Sequence, residues 1–112
     1  RKEVLKMKYF RQNGYSEETR RMIVPDETTI YLISTELTPV KKWDNHKPTD
    51  QIASYRAYFT SPEIQNGVPF SVKFSNEIKL PSYLSKVTLT DFVACLIGDN
   101  VYFKASDVKE KK

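Results

Sequence analysis

The amino-acid sequence predicts an all-β protein, a small five-stranded barrel built as one domain. Three observations carry this. β-branched and aromatic residues dominate the apolar runs, turn residues interrupt those runs at short intervals, and several runs alternate apolar with polar at a period of two. Long helical periodicity is missing, so the demand for helix is close to zero.

The elements follow in order. Val4 to Phe10 has strand character and ends at Asn13-Gly14; Ser16 then caps a short helical turn carrying Glu17, Glu18, Arg20 and Arg21. These are short N-terminal additions to the barrel. Thr28 to Val40 is a strand too long to stay straight in a small domain without coiling or a bulge, and Pro39 marks its edge. Lys41 to Asp50 is expected to be a polar loop. In Gln51 to Thr60 the series Ala53, Tyr55, Ala57 and Phe59 points into the core, whereas Ile52, Ser54, Arg56 and Tyr58 point away. After a turn over Pro62 to Gly67, Val68, Phe70, Val72 and Phe74 face inward, with Ser71 and Lys73 on the other face. Pro81 and Ser82 break the pattern. Val87 to Leu96 and Val101 to Ala105 form a hairpin through Gly98-Asp99-Asn100; Val101, Phe103 and Ala105 face in, and Tyr102, Lys104 and Ser106 face out. The domain spans residues 1–108, and residues 109–112 are a charged, frayed tail. Five main strands with a long, bent first strand suit an OB-fold barrel, although an SH3-like barrel or a short sandwich shares nearly the same periodicity.

The totals bound the function. A chain of 112 residues has room for one core, and its 39% hydrophobic and 29% charged content is that of an ordinary globular domain. No apolar run approaches the roughly 20 residues of a membrane span. The chain opens on Arg1 rather than an initiating Met, so residues are expected to precede it; nothing in it resembles a signal peptide, and a cytoplasmic location is expected. A single cysteine, Cys95, excludes an internal disulfide and a zinc ribbon, leaving it as a small core residue. The net charge is +4 and the pI about 9.1. Residues 1–22 hold seven of the eighteen Lys/Arg and three of the fourteen Asp/Glu, so the body of the chain balances at 11 against 11. Affinity of that body for a polyanion must come from the placement of its cations, not from their excess.

Catalytic constellations lack parts. His46, the only histidine, lies in polar sequence without Cys, Asp or Ser at a metal-site or triad spacing, and the carboxylates are scattered. Gly14, Gly67 and Gly98 make no phosphate-binding loop. Neither an enzyme, a metal site nor a cofactor is expected. What recurs instead is a cation beside an aromatic ring at outward positions, the chemistry that holds a flexible nucleic-acid strand: cations attract phosphates and flat rings stack on exposed bases. Arg56 with Tyr58, Tyr102 with Lys104, and Lys73 supply it on three strands, and Lys41, Lys42, Trp43 and Lys47 supply it in the polar segment. Tyr58 and Tyr102 could equally cover a barrel end, and Trp43 could fold back under its own loop. Tyr9, Phe10, Arg11 and Tyr15 form a further basic-aromatic cluster of undetermined facing.

The segment Ile30-Tyr31-Leu32-Ile33-Ser34-Thr35-Glu36, continuing through Pro39-Val40 and the Lys/Trp/Asp stretch, resembles small OB-fold proteins of Gram-positive phages and plasmids. The ending Val101-Tyr102-Phe103-Lys104-Ala105 with Asp107-Val108 adds to the likeness, and across nearly all of the chain the pattern is similar to the single-stranded DNA-binding proteins of lactococcal phages. The resemblance implies sequence-tolerant binding of single-stranded DNA in phage replication or recombination inside the infected host, as a homo-oligomer, with phage or host recombination and replication proteins as partners. Cellular relatives end in an acidic recruiting tail, whereas this chain ends Lys109-Glu110-Lys111-Lys112, which puts that route of recruitment in doubt. Two other functions use the same side chains. A phage protein that modulates a host protein would use Tyr, Trp and Arg as interface anchors, and a cold-shock-like RNA binder would use the same sheet face.

Overall fold

The computed structural model describes residues 14–111. The strand expected at Val4 to Phe10, together with Tyr9, Phe10, Arg11 and Lys112, lies outside the described residues. The elements are a helix α1 (Glu17–Ile23) and eight strands: β1 (Ile30–Leu32), β2 (Thr38–Asp44), β3 (Lys47–Thr60), β4 (Phe70–Phe74), β5 (Lys86–Thr90), β6 (Val93–Ile97), β7 (Asn100–Lys104) and β8 (Asp107–Glu110).

The pairing closes these strands into a five-stranded barrel. β3 pairs antiparallel with β1, β2 and β4; β4 runs parallel to β7; β7 pairs antiparallel with β6, and β5 with both β1 and β8. Three pairs of consecutive strands are halves of one bent strand each. β5 passes to β6 through Asp91, at φ +52°, and Phe92; β7 passes to β8 through Ala105 and Ser106. β1 passes to β2 through residues 33–37, where the first strand advances six residues, from Leu32 to Thr38, while its partner moves only three, from Phe59 to Arg56. This is the bulge that the length of the first strand required. Ser34 fills it by accepting a 2.8 Å hydrogen bond from the Tyr58 N–H. With each bent pair counted once, the strands follow the ring order 1-2-3-5-4-1 of an OB-fold, closed by the parallel pairing of the third strand with the fifth.

The core is aromatic. Phe59, Phe70, Phe74, Phe92 and Phe103 are buried with Leu32, Val72, Val87, Leu89 and Val108, and ring centroids stand 5.1 Å apart for Phe70–Phe103 and 5.4 Å for Phe92–Phe103. Fully burying side chains of this kind contributes about 1.5–3 kcal/mol each. The inward series of β4 and β7 follow the sequence alternation, with Tyr55, Val101, Ile78 and Leu80 packed at the margin. Two positions depart from it. Val68, expected inside, is 53% exposed because it follows a 3-10 turn (Gln65–Gly67) and precedes the first pairing of β4. Ala53 is exposed because that stretch of β3 has already left the barrel.

Outside the barrel, α1 forms where Ser16 provides an N-cap, its hydroxyl accepting from the Thr19 N–H at 3.1 Å, and Glu17 and Glu18 occupy the positive first turn. The expected single turn extends to seven residues. It does so because Arg20 is built into the barrel: its guanidinium donates to the Phe92 carbonyl (3.1 Å), the Val24 carbonyl (3.0 Å) and Asp26 (2.7 Å), and lies over the Phe92 ring. At the other end of the chain, Lys109 and Glu110 are not a frayed tail. They pair with Thr88 and Val87, and the Lys111 N–H donates to the Lys86 carbonyl. Val108, buried on the core side of β8, draws these residues into the sheet. Among the described residues no helix is long and apolar enough to cross a membrane.

Candidate nucleic-acid interface

Strand alternation places the candidate side chains, and the cross-strand register decides which of them meet. Arg56 of β3 stands opposite Lys73 of β4, and Lys73 stands opposite Lys104 of β7. Three cations therefore share one rung across three neighbouring strands, at the sheet spacing of about 4.8 Å per step. Two residues along each strand, Tyr58, Ser71 and Tyr102 occupy the next rung; Tyr58 pairs with Ser71. Tyr58 is 38% and Tyr102 45% exposed.

The electrostatics of the rung are one-sided. Among the described residues none of Arg56, Lys73 and Lys104 has a carboxylate partner, whereas the ion pairs that do form gather around Arg20 and Arg21. Like charges directly opposite one another in a sheet destabilise it. The only relief among the described residues is Tyr15, whose ring centroid lies 5.3 Å from the Lys73 ammonium and 5.5 Å from that of Lys104. Tyr15 reaches this place because Ser16 forms a two-way bridge with Ala94 of β6, with N–O distances of 2.9 and 3.1 Å.

The remaining candidates occupy a different structure. Residues 41–50, expected to be a loop, continue β2 and begin β3 as a two-stranded arm, with Trp43 opposite Pro48 and Asp44 opposite Lys47. Asn45 and His46 make its turn at φ +51° and +65°, the two left-handed residues of a type I′ hairpin. A polar composition hides the strands, because an arm with both faces in water lacks the apolar alternation that signals a strand. Lys41, Lys42, Trp43 and Lys47 are all exposed, Trp43 at 65%. The arm grows out of the cationic rung, since Thr38 of β2 pairs with Arg56. Trp43, eight residues along β3 from Arg56 by its partner Pro48, is then roughly 25 Å away at the usual rise of about 3.3 Å per residue. The nine candidates thus divide into a sheet group of five and an arm group of four.

Tyr15, Ser54 and Ser71 join the sheet group in the structure, although the sequence does not mark them as binding residues. Tyr15 carries a signal in its basic-aromatic neighbourhood, but only the bridge to Ala94 fixes its side. Ser54 and Ser71 carry none beyond parity. No family model matches the chain, and neither the curated proteins nor the solved structures include a match to it.

Proposed function

We propose that the protein binds single-stranded DNA in a sequence-tolerant manner on the outer face of its barrel. The observation that supports this most is the unneutralised rung of Arg56, Lys73 and Lys104 beside exposed Tyr58 and Tyr102. A phosphate backbone supplies the anions that the rung lacks, and the bases it carries stack on the adjacent rings. The arm adds a second binding element through Trp43, Lys41, Lys42 and Lys47. A strand lying along it extends the footprint of the barrel, and the resemblance to lactococcal phage proteins gives the binding a place in phage replication or recombination, with self-association of the chain. The reading involves no catalytic step and no cofactor.

The test is a titration with fluorescent oligo-dT, oligo-rU and duplex DNA at low and moderate salt. The single DNA strand binds most tightly, and its affinity falls with salt. Alanine at Arg56, Lys73 or Lys104 lowers the slope of log K against log salt by roughly 0.7 for each phosphate that is no longer neutralised. Equal binding of duplex and single strand, or a salt response untouched by the three substitutions, refutes the reading. Preference for oligo-rU assigns the face to RNA.

A further inference from the structure

The proposed DNA face is not flat. A cavity of about 180 Å³ opens between Tyr15 and the sheet, walled by Tyr15 and Tyr102, with Arg56 and Lys73 at its side and Ser54 and Ser71 among its lining. Ser54 is only 8% exposed, and its hydroxyl makes no hydrogen bond among the described residues. Buried hydroxyls almost always have a partner, so one that lines a cavity without a partner marks a position where a ligand can supply it. The cavity's volume is close to the roughly 150 Å³ of an engineered cavity that takes up benzene, the scale of one six-membered ring. Its outer wall is fixed, because the backbone bridge from Ser16 to Ala94 holds Tyr15 in place.

We propose that this slot takes the base of one pyrimidine nucleotide of the bound strand. The inference rests on the single-strand reading and adds a chemical preference to it. The base enters between Tyr15 and Tyr102, and its phosphate lies against Arg56 and Lys73. The Ser54 hydroxyl, which can donate or accept, meets the polar edge of either thymine or cytosine. Elsewhere on the face stacking tolerates any base; at this one position the single ring of a pyrimidine matches the slot and brings its polar edge to Ser54.

The experiment compares oligo-dT with oligo-dA of equal length, and adds free thymidine monophosphate, for the native chain and the Ser54→Val, Tyr15→Ala and Tyr15→Phe variants. Affinities come from anisotropy, the binding surface from amide chemical shifts, and thermal unfolding checks that each variant is folded. The native chain prefers oligo-dT by roughly three- to tenfold, the range one hydrogen bond supplies. Ser54→Val and Tyr15→Ala remove that preference without changing the salt slope, and Tyr15→Phe keeps it. The slot is overturned, and the single-strand reading survives, if both oligomers bind and neither Ser54→Val nor Tyr15→Ala alters their ratio. If no oligomer binds but the monophosphate shifts the Ser54 and Tyr15 amides, the base site stands and the strand reading fails. Silence from all three ligands ends both.

Discussion

Arg20 and Lys73 use the same kind of charge in opposite ways. Arg20 is 8% exposed and its guanidinium hydrogen-bonds to two carbonyls and a carboxylate, so the charge ties α1 and the turn at Asp26 to Phe92. Arg20→Met is expected to cost about 2–3 kcal/mol, because hydrogen bonds to charged groups contribute about 1.5–3 kcal/mol each and the retained apolar stem offsets part of the effect. Chemical denaturation measures it. The partner Asp26 adds a pH dependence. The hydrogen bond from Arg20, with the field of Arg20 and Arg21, outweighs slight desolvation and holds the carboxyl below its ordinary value of 3.8. A lowered native value means that the stabilisation is complete above 3.8 and is lost as pH falls through the native value. Denaturation midpoints followed below about pH 4 therefore decline, and Asp26→Asn flattens that part of the decline. At Lys73 the neighbours are cations. Lys73→Gln is expected to raise stability by about 0.2–1 kcal/mol, the worth of a cross-strand pair, while weakening oligo-dT binding. A variant both less stable and weaker in binding would mean that the rung is not under repulsion.

At the scale of elements, the β2–β3 arm separates affinity from stability. The side chains of residues 41–48 are all exposed, so the barrel does not depend on the tip. Trp43→Ala is expected to leave the unfolding free energy within about 0.5 kcal/mol of native, as surface substitutions do. The same change is expected to weaken oligo-dT binding by about 1–3 kcal/mol, the range for removing one base-stacking ring. Quenching of Trp43 fluorescence on adding oligo-dT, in the native chain, checks the stacking directly. Elements are legible in the sequence to the extent that they bury one face. The strands at Phe70–Phe74 and Asn100–Lys104 alternate and can be read; the arm buries neither face and has the composition of a loop. Ser16 announces α1 through its cap, but the length of the helix depends on the distant Phe92 carbonyl, which no local pattern contains. The same divide runs through the site. Parity gives the outward facing of Arg56, Tyr58, Lys73, Tyr102 and Lys104, whereas the shared rung is a matter of register between strands, and register is a property of the assembled sheet.

For the whole molecule, Phe59 is among the largest fully buried side chains, with Phe70 and Phe74 at centroid distances of 6.2 and 6.4 Å. Phe59→Ala is expected to cost about 3–5 kcal/mol, a large share of the stability of a domain this size. Urea unfolding checks the value, and if the variant remains folded its oligonucleotide affinity falls in proportion to the unfolded fraction. The parallel pairing of β4 with β7 has a temporal consequence. Lys73 meets Lys104 across some thirty residues of chain, so the cationic rung is absent from any product that stops before β7. During synthesis Arg56 and Lys73 emerge first, side by side on a hairpin with no closed barrel beneath them. Long-range pairing of this kind is the slow step of folding for β proteins. On the proposed reading, a growing polypeptide therefore presents the complete rung to a nucleic-acid strand only after β7 has left the ribosome.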